Sequence, residues 1–516
     1  MHFDFESAIQ LLCFISKKDE KAPNAPKKNM ESSLKQKTIS GLIWSFIDSF
    51  ALQGITFVIG IILARLLLPS EFGLIGMIGI FIAISTSFIN SGFGAALIRK
   101  KDCTDKDYST VFYYNLAVGI LFYLVIFLLA PAISRFFNEP QLIRLVQILA
   151  VILIIESFAI IQRTILTKRL DFKLQTKISV ISSIVSGLLG IVMAFKGFGV
   201  WSLVAKQISQ SVINAFLLCL WNRWRPLLVF SKASFIELFS FGYKLLISGL
   251  IDTLYRNIYL IIIGKYFSAQ ALGFYTRADQ FKKLPAENIM NIIGRVSYPV
   301  LAQMQDDKVA LKKNYKKIIK STMLITFVLM MGMAAVAEPM IITLIGEQWR
   351  PCIVYLQLLC FVGMMYPLHA LNLNMLNVQG RSDIFLKLEI IKKILAIPTI
   401  IIGVLFGIKV MIMCLIVNSQ IAYYLNSYWS GRLIDYSMLE QIRDIMPSFF
   451  LAVSTAFIVA VIGWFLPFGY AVTLMIQVVA GAVLVFAIAE IIRLEAYIFM
   501  KDILKTKLSE VIIARK

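Results

Sequence analysis

Asp252 and Arg256 stand four residues apart in ISGLIDTLYRNIYLIIIGKYF (residues 247–267), a run otherwise apolar enough to cross a bilayer. On a helix that spacing places both side chains on one face. A charge in hydrocarbon costs about 2.5–3.5 kcal/mol on insertion scales, so each must meet water or a partner. Two chemistries fit. Either the pair neutralises itself and makes burial tolerable, or Asp252 aims the Arg256 guanidinium at an anion. Phosphate is the anion best matched to arginine, whose planar fork gives two parallel hydrogen bonds. Lys244, Lys282, Lys283 and Arg295 lie in the same two apolar stretches, with Glu287 and Asn291 among them, and Lys206 lies in an earlier one. Arg256, Lys244, Lys282, Lys283, Arg295, Asp252 and Lys206 are therefore the candidate binding residues for a negatively charged substrate.

Other polar groups are scattered through the apolar runs: Asp48 and Gln53; Glu156, Gln162 and Arg163; Gln207 and Gln210; His369, Asn372 and Asn374. Asp48 and Glu156 are candidate ion-coupling acids. The uncharged ones either join helices by hydrogen bonds or meet sugar hydroxyls, and His369 reads as structural. Six cysteines with no CxxC pair, and only two histidines, give no zinc or thiol site. No metal and no cofactor is expected.

The positioning elements follow from composition. The chain has 516 residues, 59% hydrophobic and 16% charged, against about 25% charged in soluble domains. A soluble fold of this length has too little core to hide so much apolar surface. The reading is an all-α integral membrane protein. A strand-based barrel is excluded because the apolar runs are continuous and do not alternate. The net charge of +21 does not imply nucleic acid, since the basic residues fall in short clusters between apolar runs.

A span needs about 20 apolar residues, and on that rule there are about fourteen transmembrane helices. With the N-terminus in the cytoplasm, 37 lysines and arginines fall on the cytoplasmic side and 8 on the other. That asymmetry obeys the positive-inside rule and puts both termini in the cytoplasm. A repeat is also visible. IILARLLLPSEFGLIG (61–76) aligns with IIIGKYFSAQALGFYT (261–276), matching Gly73 with Gly273, and APAISRFFNE (130–139) aligns with EPMIITLIGE (338–347). The offset holds six spans, so the copies run parallel. The expected organisation is a cytoplasmic tail (1–39), a six-helix lobe (40–221), a cytoplasmic linker (222–236) and a second six-helix lobe (237–430). Two C-terminal helices (431–493) and a cytoplasmic tail (494–516) follow. A substrate in such a two-lobe transporter lies between the lobes, and the cations of the seventh and eighth spans are expected to face that space.

Several segments together resemble the polysaccharide flippases of the superfamily that also holds the multidrug-extruding MATE transporters and the lipid II flippases. They are ISGLIWSFIDSFALQGITFVIGIILARLLLPSEFGLIGM (39–77), RKKDCTDKDYSTVFYYNLAVG (99–119), QRTILTKRLDFK (162–173), GFGVWSLV (197–204), LGFYTRADQFKKLPAENI (272–289), SYPVLAQMQDD (297–307) and GRSDIFLKLEIIKK (380–393). The resemblance covers about residues 34–493. It implies a two-lobe bundle with alternating access in the bacterial inner membrane. It also implies export of an undecaprenyl-pyrophosphate-linked oligosaccharide to the outer leaflet, with membrane lipids and polysaccharide polymerase machinery as partners. Export is driven by the membrane potential alone or by an ion taken up at Asp48, Glu156 or Asp252. The rival within the same fold is a multidrug or cation antiporter, which calls for an acidic cavity. A membrane polymerase is disfavoured because no inter-span loop is long enough to hold a catalytic domain, and no P-loop motif is present.

Overall fold

A computed structural model of the chain describes residues 51–502 and residue 505, leaving aside the side chains of Asn291, Ile292, Arg295, Val296 and Pro299. Asp48 and the expected N-terminal tail lie outside the described residues, as does most of the C-terminal tail. The described secondary structure is helical, as the apolar runs dictate. The helices are α1 (Ala51–Leu66), α2 (Pro69–Asn90), α3 (Phe93–Arg99), α4 (Asp105–Phe137), α5 (Leu142–Leu149), α6 (Ile152–Lys168), α7 (Phe172–Phe195), α8 (Val200–Asn222) and α9 (Lys232–Tyr266). They continue as α10 (Ala269–Ala302), α11 (Lys308–Ala335), α12 (Ala337–Ile345), α13 (Cys352–Gly363), α14 (Tyr366–Val378), α15 (Ser382–Phe406), α16 (Ile408–Leu433), α17 (Met438–Phe465) and α18 (Tyr470–Ile491).

Among the described residues, eleven helical stretches are long and apolar enough to span a membrane. The helices α10 and α15 fall outside that set because of their charges. Arg277, Asp279, Lys282, Lys283, Glu287 and Arg295 stand in α10, and Asp383, Lys387, Glu389, Lys392 and Lys393 in α15. Two expected spans are broken. Residues 142–164 resolve into α5 and α6, interrupted at Ala150 and Val151, and residues 351–378 into α13 and α14, interrupted at Met364 and Met365. The helices before them, α4 and α11, both start on a side-chain cap. Thr104 accepts from Asp107 N, and Asp307 accepts from Val309 N and Ala310 N; such caps satisfy backbone donors that a helix start leaves open.

By packing, the chain forms two compact units that divide between Gly273 and Phe274. In the first unit, α9 belongs with the preceding helices. Phe93, Leu97, Val111, Phe112, Ile161, Ile165 and Leu238 build its core near the loop ends. The segment after α8 is strapped to that end: Leu227 N–H donates to Ser109 Oγ (2.8 Å), Ser231 N–H to Thr110 Oγ1 (3.0 Å) and Trp224 Nε1–H to Asp105 Oδ1 (3.1 Å). In the second unit, α11 packs along α17. Lys312, Lys316 and Lys320, one turn apart on α11, meet Glu440 and Asp444 of α17.

One seam of the first unit runs the length of α2. Its partner runs antiparallel along α9 and into the start of α10. Gly242 meets the Ser91 carbonyl, Ser87 Oγ lies 3.1 Å from Thr253 Oγ1, and Gly264 meets Met77. The seam ends where α2 and α10 begin. There a Cβ on Gly73 would sit 1.7 Å from the Ala269 carbonyl oxygen, and one on Gly273 would sit 1.9 Å from that of Pro69. Backbone stands on backbone, so only glycine fits at either position. Gly73→Ala should lower stability by about 1–3 kcal/mol, the usual cost of overpacking. Gly332→Ala, in α11 with nothing within 4 Å of its added Cβ, should be neutral or stabilising by up to about 1 kcal/mol. Thermal unfolding of the two detergent-solubilised variants checks the contrast.

Candidate functional site

The helix α9 is long and apolar, yet most of it is not packed against protein. Its buried residues are Leu238 and Gly242 near one end and Ile262, Ile263 and Gly264 near the other. Between them Lys244, Asp252 and Arg256 lie at spacings of eight and four, which keeps them on one broad side of the helix. All three are exposed. Arg256 Nε–H donates to Asp252 Oδ2 at 2.7 Å, while 68% of the Arg256 side chain and 53% of that of Asp252 stay accessible. The pair is made, but the guanidinium keeps free donors for an anion. Among the described residues Lys244 Nζ reaches only the Tyr243 ring, at 5.9 Å.

The second cationic group is arranged differently. Lys282 Nζ lies 2.5 Å from Asp279 Oδ1 and Lys283 Nζ 2.7 Å from Asp279 Oδ2. One carboxylate therefore holds both lysines at i+3 and i+4 of α10. Lys282 is mostly covered, at 15% exposure, and its stem passes Gly363 of α13, where a Cβ would meet its Cγ at 2.8 Å. Lys283 is half exposed. Asp279 was not among the expected residues. The i,i+3 and i,i+4 spacing to the two lysines is the signal that finds it. The Arg295 side chain lies outside the described ones.

The remaining candidates sit apart from these groups. Lys206 of α8 packs its Cβ 3.0 Å from where a Cβ on Gly190 of α7 would lie. Glu156 of α6 accepts a hydrogen bond from Ser211 Oγ of α8 at 3.0 Å, joining two helices. His369 Nε2 pairs with Ser419 Oγ at 2.9 Å, and Asn372 joins Gln441 and Ser430 inside the second unit. The structure thus gathers Lys244, Asp252 and Arg256 on α9, and Lys282 and Lys283 around Asp279 on α10; Lys206 and Glu156 belong to neither group. At the loop end of the first unit, Lys100 bridges Asp107 (3.1 Å) and Glu237 (2.9 Å), and Glu237 beside it holds its ammonium above the ordinary lysine range.

A family profile described as polysaccharide biosynthesis protein matches residues 62–354, which include both cationic groups. The chain belongs to the polysaccharide biosynthesis protein family. Within and around that match it is 28% identical over 358 residues to the teichuronic acid biosynthesis protein TuaB of Bacillus subtilis (strain 168), covering 68% of this chain and 73% of TuaB. It is 29% identical over 379 residues to the lipopolysaccharide biosynthesis protein WzxC of Escherichia coli (strain K12), covering 72% and 76%. The fold is shared with lipid II flippase MurJ in an inward closed conformation, with a TM-score of 0.71 at 12% identity over 87% of this chain and 98% of MurJ. This member of the polysaccharide biosynthesis family is therefore a multi-pass, all-α membrane protein with a known transporter fold, as its apolar runs lead one to expect.

Asp279 is the residue on which the α10 lysines depend. Asp279→Asn should destabilise the protein by on the order of 3 kcal/mol, because it leaves Lys282 charged, covered and without its partner. The double variant D279N/K282M should recover most of that loss. Thermal unfolding of the three proteins in one detergent checks both outcomes.

Proposed function

We propose that the protein is a flippase that carries an undecaprenyl-pyrophosphate-linked oligosaccharide from the cytoplasmic to the outer leaflet of a bacterial inner membrane by alternating access. Family membership and the naming of its relatives for teichuronic acid and lipopolysaccharide biosynthesis support the substrate class. The observation that carries the reading is the exposed cationic side of α9. Lys244 and Arg256 stand mid-helix, accessible, with Asp252 fixing the guanidinium. Exposed charge at that depth requires an aqueous surround, and a pyrophosphate is the ligand that makes use of a cation there.

In this mechanism Arg256 and Lys244 receive the pyrophosphate. The polyprenyl tail stays in lipid. The protein makes and breaks no covalent bond. Moving negative charge outward is favoured by about 2.3 kcal/mol per charge per 100 mV, so the membrane potential suffices as a driving force. Both termini lie in the cytoplasm, consistent with the distribution of basic residues, and the exported unit passes to polymerase machinery on the outer side. The paired Gly73 and Gly273, the capped α4 and α11 and the broken α5–α6 and α13–α14 all recur at offsets near 200 residues. They support two parallel repeats over 40–221 and 237–430.

Flipping of a fluorescent lipid-linked saccharide in proteoliposomes tests the reading. A K244A/R256A variant should flip at least about tenfold more slowly, since a hydrogen bond to a charged group contributes about 1.5–3 kcal/mol. K282A should change flipping far less, because Asp279 already neutralises that lysine. Wild-type rates in K244A/R256A would refute the α9 site. Movement of α9 against α2 is tested at the seam. A disulfide between S87C and T253C, formed in a C219S background, should stop flipping until reductant is added; unchanged flipping with the bond closed would show that the seam stays shut.

A further inference from the structure

One face of the first unit carries a groove that the transport reading does not use. A cavity of about 510 Å³ is lined by Ile148 of α5, Met193 of α7, and Trp201, Val204, Ala205, Ile208, Ser209, Val212 and Ile213 at the start of α8. A second cavity, about 450 Å³, adjoins it through Trp201 and is lined by Pro140, Gln141, Ile143, Arg144, Leu145 and Val200. The local reason is plain. Positions 204, 208 and 212 and positions 205, 209 and 213 make two adjacent i,i+4 rows on α8, so that face is apolar apart from one hydroxyl. The short α5 buries Leu142, Leu145, Val146 and Leu149 and turns Gln141, Arg144 and Ile148 outward. One end of the groove is thus hydrocarbon-like. The other end carries a cation and an amide, with Trp201 between them.

That polarity gradient fits one kind of occupant. We propose that the groove binds a single anionic glycerophospholipid of the bilayer, its phosphate on Arg144 and Gln141 and one acyl chain along Val204, Ile208 and Val212. Charge complementarity selects the head group. Arg144 is exposed, and no carboxylate pairs with it among the described residues. It is also the only cation lining either cavity, which matches one phosphate better than a pyrophosphate. Ile148 and Val212, 43% and 45% exposed, leave the apolar end open. Trp201 sits at the junction of head and chain, where an amphipathic ring is favoured at a membrane interface. The groove opens beside the short connections 138–141 and 196–199, the end of the unit poor in lysine and arginine, so the lipid comes from the outer leaflet in the orientation proposed above.

Trp201 supplies the probe. The full-length protein is reconstituted with brominated phosphatidylglycerol or brominated phosphatidylcholine at equal mole fraction, and the Trp201 signal is taken as the difference between wild type and W201F. The brominated anionic lipid should quench that component about fivefold more effectively at low mole fraction. That ratio corresponds to about 1 kcal/mol for one basic side chain meeting an anionic head group. R144Q should erase the preference while quenching by both lipids persists, because no carboxylate among the described residues pairs with the exposed arginine. Ala205→Leu should reduce quenching by both lipids by narrowing the trough. Equal quenching by the two lipids in wild type, or a preference that survives R144Q, would overturn the proposal. So would relief of quenching by undecaprenyl phosphate at lower ratios than unbrominated phosphatidylglycerol, which would make the occupant a polyprenyl lipid. Flipping rates are not the readout, so a failure here leaves the transport reading untouched, and the reverse also holds.

Discussion

A charge within the span of a bilayer must have water or an opposite charge beside it, and this chain meets that requirement in two distinct ways. On α10 the charge is shared in place: one covered carboxylate, Asp279, takes both Lys282 and Lys283 and offsets one of their two positive charges. On α9 it is left standing: Arg256 is oriented by Asp252 but keeps most of its surface accessible. Attraction in a surface-exposed i,i+4 pair contributes only a few tenths of a kcal/mol. The pairing therefore does not explain why the residues are there, and the accessible guanidinium does.

Exposure of α9 at mid-length is possible because its packing is concentrated at the ends. Gly242 and Gly264 let the backbone approach α2, and the Gly73–Ala269 and Gly273–Pro69 contacts lock the start of the next helix to the start of α2. The helix is held as a beam is held at its supports. Its central turns need contribute little to the fold, so their side chains are free to be chosen for chemistry. Ser87 and Thr253 make a polar contact along that central stretch of the seam.

Much of this was legible in the sequence. Hydropathy located the helices because an apolar run in lipid has only one way to satisfy its backbone, and the repeat pointed to Gly73 and Gly273, which meet the Ala269 and Pro69 backbones. What stayed hidden was local. Ala150 and Val151 carry no turn signal, yet the chain breaks there; a short amphipathic α5 turns its charged face out, and a continuous apolar run does not reveal that choice. In the second copy the signal was fuller, since Gly363 and Pro367 bracket the break between α13 and α14. Asp279 was missed because its value lies in a spacing, three and four residues before Lys282 and Lys283, and not in its type. The helix in fact begins at Ala269, and the acid falls within reach of both lysines.

The difference between the two cationic groups bears on specificity. A fully neutralised lysine offers a substrate little net attraction, because the incoming phosphate must compete with a carboxylate 2.5 Å away. An arginine bonded through Nε alone keeps its two terminal nitrogens, the pair that forms a fork toward phosphate oxygens. The two groups carry the same net charge, one carboxylate against two cations each, and differ in how many donors stay available. A pyrophosphate head group joined to a variable glycan gives the protein one constant feature to hold. In the proposed mechanism a single preset fork on α9 would hold that feature and leave the sugar in water.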